Sequence, residues 1–361
     1  SALSWSGSHR VIVEEYMEGP EYSLDAVVEH GKVTLCGLAD RHIYFPPYFI
    51  EMGHTMPAVL SEKDTQEILA VFEKGIRALG IRNGTAKGDL KLTSRGGMIG
   101  EIAARLSGGY MSGWTFPYSS GVNVTEAAMN IALGLPVGDL TPRFSRHSAE
   151  RAFISIPGVV ESLTGLSEAR KQPGVRDVFV RVRPGDRVNF PRNNVEKCGN
   201  IISCAETRRE AVDAAEGSLG YIGIRLLPGV EETGRYLYGT PEPGMPDAWS
   251  PGAAIETALK RLPFSDQGSG GSADGLPAVI PLPELDTLDS RDWHSLTPVE
   301  GLERIRRSGI LPTDRDSLGR LGLPFWKAFF RGGPEGGLWA LRTFAQDPRL
   351  FLENVRVWSE S

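Results

Sequence analysis

Two acidic residues flank a predicted hairpin turn and could bind a metal ion. Residues 85–93 and 98–104 have strand patterns, and 94–97 (SRGG) between them has the residues of a tight turn. A turn centred near Arg95 would place Asp89 opposite Glu101, with both carboxylates on one face at roughly 5 Å. Like charges this close are destabilising unless a cation lies between them, and carboxylate oxygens suit Mg²⁺. The alternative is a solvated pair of acids on an exposed strand.

An arginine and a pair of glycines follow the second of these strands. Arg105 lies four residues after Glu101, and Gly108 and Gly109 come soon after it. A guanidinium at this place could hold a transferring phosphoryl group or a developing oxyanion, because it forms charge-assisted hydrogen bonds to such oxygens. The glycines would let the backbone approach a ligand closely.

Hydrophobic periodicity predicts the elements that position these residues as an antiparallel sheet with helices. The predicted strands, including the two of the hairpin, occupy residues 11–13, 22–28, 32–38, 85–93 and 98–104. A helix is predicted over residues 63–79, with Ser61 and Asp64 at its N-terminal cap. Residues 124–133 predict a second helix. We expect this first domain to span residues 1–140.

Three further segments follow the first domain. Residues 141–228 predict a small α+β domain. Its predicted strands are 153–156, 175–183, 199–205 and 222–227, and its predicted helices are 159–169 and 207–218. Residues 229–275 predict a Pro/Gly-rich linker, within which residues 265–275 (SDQGSGGSADG) are expected to be flexible. Residues 276–361 predict a mainly helical tail with aromatic residues of the kind that form a packing surface: Phe325, Trp326, Phe329, Phe330 and Trp339.

Composition argues against several classes of protein. The chain has 361 residues, 40% of them hydrophobic and 23% charged, and a formal net charge of −6. Nucleic acid is not an expected partner, because binding its phosphates needs a basic surface. No apolar stretch approaches the roughly 20 residues that span a bilayer, and three cysteines are too few for a disulfide framework. We expect a cytoplasmic protein, and the start at Ser1 without Met suggests a chain cut from a longer one.

The stretch GDLKLTSRGGMIGEIAARLSGG resembles the second half of the ATP-grasp superfamily, which carries an acidic residue on one strand and a Glu-Ile-Asn-x-Arg motif on the next. The resemblance implies that Asp89 and Glu101 are metal ligands and that Arg105 is catalytic. Ala103 stands where the motif has Asn, as in ligases that resemble the L-amino-acid ligase branch. The implied fold class is α+β, with the distal half of an ATP-grasp domain, a small α+β C-terminal domain and a helical tail.

The stretch VEEYMEGPE, residues 13–21, looks like the hinge strand of the same superfamily. That strand binds adenine through its backbone and the ribose hydroxyls through the glutamate after its glycine. The resemblance implies that Glu14, Glu15 and Met17 surround adenine and that Glu21 binds ribose. Taken alone, a run of acidic residues is more often a solvated strand end.

The stretch FIEMGHTMP, residues 49–57, is similar to the Glu-x-Gly-His-x-x-Pro segment of several amino-acid-ligating ATP-grasp enzymes. This implies that His54, in a catalytic role, and Glu51 border the acceptor pocket. The alternative is a structural histidine.

Residues 151–227 resemble the C-terminal domain of the L-amino-acid-ligase and biotin-carboxylase-like branches. The similar stretches are IPGVVESLTGL, PGVRDV, RPGDRV and KCGNIISCAETRREAVDAA. In all, the resemblance covers about residues 10–227. The phosphate-gripping lysines and glycine-rich loop of the superfamily precede the hinge strand, so we expect this chain to hold half of a site.

The resemblance implies a carboxylate–amine (amino-acid) ligase that uses ATP with Mg²⁺ or Mn²⁺ and forms an acylphosphate intermediate. The expected partners are small-molecule carboxylates and amines, without nucleic acid or membrane, and a homodimer is compatible. Two alternatives stay open from the sequence. One is a carboxylase or carbamoyl-phosphate-type enzyme that activates bicarbonate, and the other is a non-catalytic nucleotide-binding scaffold.

Overall fold

The computed structural model describes residues 2–261, 285, 288–309 and 322–360. The described strands are β1 (Glu21–Glu29), β2 (Lys32–Tyr44), β3 (Ile50–Met56), β4 (Gly84–Thr93), β5 (Gly96–Ala103), β6 (His147–Phe153), β7 (Gly158–Thr164), β8 (Val175–Val180), β9 (Arg187–Val188), β10 (Gly199–Ala205) and β11 (Gly223–Leu226). The described α-helices are α1 (Ala2–Trp5), α2 (Glu62–Ala78), α3 (Phe116–Ser120), α4 (Val124–Ala132), α5 (Leu166–Arg170), α6 (Arg208–Leu219), α7 (Glu231–Tyr238), α8 (Ala253–Arg261), α9 (Pro298–Arg307), α10 (Leu323–Gln346) and α11 (Pro348–Ser359). A π-helical turn, Met111–Thr115, precedes α3. The fold class is α+β, as predicted.

The chain divides into two compact units. The first contains residues 1–41 and 55–145, and the second contains residues 42–54 and 146–361. The sequence analysis placed the first boundary at residue 140 and did not assign residues 42–54 to the second unit. Among the described residues, no helix is long and apolar enough to cross a membrane.

The first unit is an antiparallel sheet covered by helix α2. Its strand order is β5-β4-β1-β2. Alternate residues of β1 point into a core that they share with α2 and β4, because side chains on a strand alternate between its faces. This core includes Tyr22, Leu24, Ala26, Ile68, Phe72, Ile76 and Leu90. The candidate site is formed by polar side chains of these strands that lie outside this core, and a second core includes Val27, Cys36 and Ala39.

Local sequence signals account for several boundaries in the first unit. The side chain of Ser61 accepts a hydrogen bond from the backbone N–H of Asp64, as expected for the cap of α2. Ser94 and Arg95 form the two-residue connection between β4 and β5, which confirms the predicted hairpin. The strand predicted over residues 11–13 is wrong: these residues have no regular secondary structure and are exposed, and none of the described residues pairs with them in a sheet. A β-branched run needs a hydrogen-bonding neighbour to become a strand.

The second unit contains two sheets. Strands β3-β6-β10-β8 form one and β11-β7-β9 form the other. Thr207 begins α6 with a capping box to Glu210, which explains why this helix was predicted correctly. The helix predicted over residues 159–169 is wrong in its first half, because Gly158–Thr164 is strand β7, paired with β11 and β9. Short apolar runs do not distinguish helix from strand by periodicity, and here sheet pairing decides.

The C-terminal part of the second unit is largely helical where it is described. Helices α7 and α8 lie within the segment predicted as a linker, whereas the stretch expected to be flexible, residues 265–275, lies outside the described residues. Helices α9, α10 and α11 agree with the mainly helical tail. The five aromatic residues of the tail are buried, which confirms the predicted packing role.

Candidate active site

The candidate site of the first unit is a row of charged and polar side chains on one face of its sheet, called here the polar face. Its members are Glu21, Ser23, Asp25, Arg41, Lys87, Asp89 and Lys91. Six of them come from alternate positions of β1 and β4, where strand geometry places them on one face, and Arg41 joins them from the neighbouring strand β2. Asp25 accepts hydrogen bonds from the backbone N–H of Ser107 at 2.8 Å and from the hydroxyl of Ser112 at 3.0 Å. The polar face is therefore tied to the loop that follows Arg105.

Asp89 and Glu101 lie opposite each other in the β4–β5 pairing, which confirms the predicted register. A bulge follows directly, between Asp89 and Leu90. Asp89 is buried, whereas the side chain of Glu101 is 57% exposed. The hydroxyl of Ser23 donates a hydrogen bond to Asp89 Oδ1 at 3.0 Å. The two carboxylates thus differ: one is held in the sheet and the other faces outward.

A cation already lies between the two carboxylates, and it is the ammonium of Lys87. Lys87 Nζ pairs with Asp89 Oδ2 and lies 3.8 Å from Glu101 Oε1. Arg41 adds a second cation at 3.0 Å from Asp89 Oδ2. Neither Lys87 nor Arg41 was predicted from the sequence. The alternation Lys87, Asp89, Lys91 on one strand would have indicated Lys87, whereas Arg41 depends on the register between β1 and β2.

Arg105 lies near Glu101, and both side chains are exposed. Its Nη2 atom is 3.8 Å from Glu101 Oε1, and its Nη1 atom donates to the carbonyl of Leu106 at 2.9 Å. The arginine side chain is 54% exposed. A Cβ added to Gly108 would contact nothing within 4 Å, so the space beside this glycine is open. The arrangement leaves room for an anionic group near the guanidinium.

Three of the predicted nucleotide-binding residues precede β1, and the fourth, Glu21, is its first residue. The carbonyl of Met17 accepts a hydrogen bond from Lys91 Nζ at 3.1 Å, and Lys91 Nζ also lies 3.5 Å from Glu21 Oε2. Glu21 pairs in addition with Arg41. Lys91 thus links the predicted adenine segment to the predicted ribose ligand.

The remaining two predicted residues of this segment point outward. Glu15 pairs with Arg95 at 2.8 Å, and Glu14 is exposed. The structure therefore brings Met17 and Glu21 onto the polar face through Lys91, and it does not bring Glu14 there.

His54 and Glu51 belong to strand β3 and to the second unit. His54 is 2% exposed, and its Nε2 atom lies 3.7 Å from Glu51 Oε2. Its Nδ1 atom lies 3.1 Å from Glu150 Oε2. Glu150 was not singled out from the sequence, because its partner His54 is 96 residues away along the chain. Lys197 donates to the backbone carbonyl of Glu51 at 2.8 Å.

The two facing carboxylates, Asp89 and Glu101, are of a chemical type that suits a magnesium ion. Asp89 and Glu101 offer carboxylate oxygens on adjacent strands, which are the ligands that Mg²⁺ prefers. Among the described residues, no group of three or more His, Cys, Asp or Glu side chains could hold a metal by itself. Mg²⁺ commonly takes only one or two carboxylates and completes its shell with phosphates and water. A pair of carboxylates is therefore a sufficient protein contribution.

Comparison with known protein families identifies two domains. Residues 3–113 match the family described as ATP-grasp domain. Residues 152–226 match the family described as L-amino acid ligase C-terminal domain 2. The chain therefore contains an ATP-grasp domain followed by an L-amino acid ligase C-terminal domain. The first match includes every predicted site residue.

Individual relatives cover parts of the chain. An uncharacterized protein, y4rH, of Sinorhizobium fredii is 26% identical over 225 residues, which is 62% of this chain and 46% of the relative. Carnosine synthase 1 of Gallus gallus is 29% identical over 134 residues, 37% of this chain and 14% of the relative. These matches span less than half of either relative. The crystal structure of L-amino acid ligase from Bacillus licheniformis matches with a TM-score of 0.53 and 21% identity, over 59% of this chain and 53% of that one, and shows a shared fold.

Proposed function

We propose that this chain forms part of an ATP-dependent carboxylate–amine ligase that joins amino acids through an acylphosphate with Mg·ATP. The observation that carries the proposal is the placement of Asp89 opposite Glu101, with Lys87 between them, in an ATP-grasp domain. The L-amino acid ligase C-terminal domain that follows favours an amino-acid substrate. ATP-grasp ligases are the enzyme class of the relatives that carry a name.

The polar face supports the phosphate end of this proposal. Asp89 and Glu101 would hold Mg²⁺, which when bound with ATP would neutralise charge on the phosphates. Lys87 and Arg105 flank the same two carboxylates and would offer cationic contacts to phosphate oxygens. Phosphoryl transfer depends mostly on positioning and charge neutralisation, so a rigid strand pair with mixed charges suits it.

Arg105 is proposed to hold the acyl group after phosphoryl transfer. The Arg105 side chain is more than half exposed, and a Cβ added to Gly108, three residues on, would meet nothing within 4 Å. There it would bind the acylphosphate and then the oxyanion that develops when the amine attacks. The bond from the amine nitrogen to the acyl carbon forms, and phosphate leaves with the electron pair of the broken C–O bond.

The nucleotide end of the proposal rests on Glu15, Met17 and Glu21, with Glu14 as the outermost predicted contact. The ammonium of Lys91 lies close to both the Met17 carbonyl and the Glu21 carboxylate. These contacts would order the segment for binding adenine and ribose. In the second unit, His54 and Glu51 are proposed to face the acceptor amine. His54 would accept the proton that the amine loses.

The experiment that tests the proposal is ATP turnover by the Glu101→Gln variant of the native-length protein. Because Glu101 is more than half exposed, the substitution should leave the fold intact while removing the outward carboxylate. We expect amino-acid-dependent ADP release to fall at least a hundredfold. Glu73→Gln is the matched control, since Glu73 is an exposed acid on α2 that pairs with Arg77. ATP turnover that survives in Glu101→Gln would overturn the proposed role.

A further inference from the structure

Glu150 is a fully buried carboxylate that no step proposed so far uses. It lies on strand β6, with 0% exposure. Burying a carboxylate is costly unless partners compensate for its charge and its lone pairs. Two side chains do so: Glu150 Oε2 lies 3.1 Å from His54 Nδ1, and Glu150 Oε1 accepts a hydrogen bond from the amide of Asn200. One of the two is the histidine of the proposed acceptor site.

The contact from Glu150 fixes which nitrogen of His54 carries a proton. A carboxylate can only accept, so Nδ1 must donate to it. The other nitrogen, Nε2, then faces the carboxylate of Glu51 at 3.7 Å. Carboxylates commonly fix the tautomer and the ring orientation of a functional histidine in this manner.

The backbone around His54 is also held against strand β6. Arg151 donates a hydrogen bond from Nη1 to the His54 carbonyl at 3.0 Å. A Cβ added to Gly53 would lie 2.1 Å from the carbonyl oxygen of Glu150, so only glycine allows the two strands to approach this closely. These contacts set the position of the imidazole relative to Glu150.

We propose that Glu150 is a positioning residue that keeps the His54 imidazole in its Nδ1–H form, with Nε2 directed toward Glu51. This inference rests on the proposed function. In this form Nε2 has a free lone pair with which it can take a proton from a substrate amine. Glu150 stabilises the imidazolium that results, without contacting the substrate.

Several charged groups surround this histidine and enter its titration. Glu51 is on the same strand, and Glu150 and Arg151 are on β6. Lys197 Nζ lies 3.8 Å from Glu51 Oε1. Burial, with the charge of Arg151, lowers the pKa of His42 to about 3, so His42 stays neutral at physiological pH. The nearest negative charge on the Nδ1 side of the ring is Glu150.

The experiment follows the ¹⁵N signals of His54 in the native-length protein during a pH titration. At high pH we expect the wild-type ¹⁵N signals of His54 to show the Nδ1–H tautomer. These signals are assigned to His54 because they are absent from the His54→Gln variant. Glu150→Gln keeps the shape but removes the negative charge, and we expect the titration midpoint of His54 to fall by about one pH unit. Glu150→Asp keeps the negative charge, so we expect its His54 midpoint to lie close to the wild-type value. If Glu150→Gln does not fold, Glu150→Asp is the variant compared with the wild type. Glu216→Gln is the matched control, because Glu216 pairs with Arg151 at 2.9 Å without contacting His54.

Kinetics separate the positioning role from a structural one. We expect Glu150→Gln to lower kcat about tenfold or more, to leave the KM for ATP unchanged and to move the acidic limb of the pH–rate profile with the midpoint of His54. An unchanged tautomer and midpoint in folded Glu150→Gln would overturn the inference, even if the wild type is active. The NMR shift in a protein without ligase activity would support the positioning contact and contradict the proposed function instead.

Discussion

Asp89 and Glu101 lie directly opposite each other on neighbouring antiparallel strands, and the ammonium of Lys87 contacts the first and lies 3.8 Å from the second. Two like charges in this position would be destabilising by themselves. Lys87 relieves the repulsion within the chain, and a divalent cation could relieve it in the same place. We therefore propose that a divalent metal ion bound by the two carboxylates takes over the charge compensation that Lys87 provides without it.

Removing the ammonium should make stability depend on magnesium. Lys87→Met replaces a buried side chain by an apolar one of similar length and leaves Asp89 with Arg41 as its remaining cation. We expect the free energy of unfolding to fall by about 3 kcal/mol without divalent metal, since one partner of a buried ion pair is lost. Added MgCl₂ should then raise the unfolding temperature more in Lys87→Met than in the wild type.

Thermal unfolding with and without MgCl₂, at ionic strength matched by NaCl, measures this effect. Lys32→Met is the control, because Lys32 is exposed at the start of β2. An equal effect of MgCl₂ on all three proteins would contradict exchange at this place.

Gly19 sets the close approach of the predicted nucleotide segment to strand β4. Its φ is +137°, and an added Cβ would lie 2.2 Å from the carbonyl oxygen of Leu92. Gly19→Ala should therefore cost about 1–3 kcal/mol and weaken nucleotide binding, because the backbone around Met17 must shift. Urea unfolding and ATP titration measure the two effects. Gly113→Ala is the control, since a Cβ there meets nothing within 4 Å, and equal behaviour of the two variants would contradict the argument.

Asp292 should make stability fall as pH rises. Burial, opposed by hydrogen bonds from the backbone of Leu296 and His294, raises the pKa of Asp292 to about 7, with Glu335 adding to the increase. Between about pH 4 and pH 7 the folded state keeps a proton that the unfolded state has lost, so this group's contribution is present below pH 4 and falls by about 1.4 kcal/mol per pH unit. The Asp292→Asn variant has no such pH-dependent contribution. Its free energy of unfolding relative to the wild type should therefore rise with pH across the same window.

The comparison with a variant is needed because His294 acts in the opposite direction. Burial lowers the pKa of His294 to about 4, so its contribution is present above about pH 6.5 and is lost as pH falls through 4. In the wild type, the contributions of Asp292 and His294 to the free energy of unfolding therefore change with pH in opposite directions. Urea unfolding of both proteins from pH 4 to 8 measures the difference, with the exposed Asp289→Asn as control. A difference between Asp292→Asn and wild type that does not change with pH would contradict the assignment.

The aromatic residues of the tail should contribute to stability. Phe329 is 0% exposed and packs on Trp249 with ring centroids 4.6 Å apart. Phe329→Ala should lower the free energy of unfolding by about 3–5 kcal/mol, because it removes buried apolar contacts and leaves a cavity. Val357→Ala, at a side chain that is 64% exposed, should change it by less than about 0.5 kcal/mol. A small loss in Phe329→Ala would point to an interaction surface in place of a core.

Local signals explain what the sequence predicted well. The caps at Ser61 and Thr207 and the two-residue turn at Ser94 and Arg95 act within a few residues, so their helices and hairpin were predicted close to their observed bounds. The register of that hairpin then placed Asp89 opposite Glu101. Of the polar face, Asp89 could be derived in this way.

Long-range pairing explains the rest. Arg41 meets Asp89 only because β1 lies between β2 and β4, and Glu150 meets His54 across 96 positions of sequence. The hydrophobic periodicity of a sequence does not show which distant residues will meet in the fold. The same holds for β7, where a helix was predicted: pairing with β11 and β9 determined the conformation of a segment whose own pattern was ambiguous.

The most direct test of the ligase proposal is ADP release by the native-length protein with Mg·ATP in the presence of pooled amino acids, of bicarbonate, or of no acceptor. We predict that the amino acids stimulate ADP release at least tenfold and that bicarbonate does not. Stimulation by bicarbonate alone, or nucleotide binding without any stimulated turnover, would contradict the proposal.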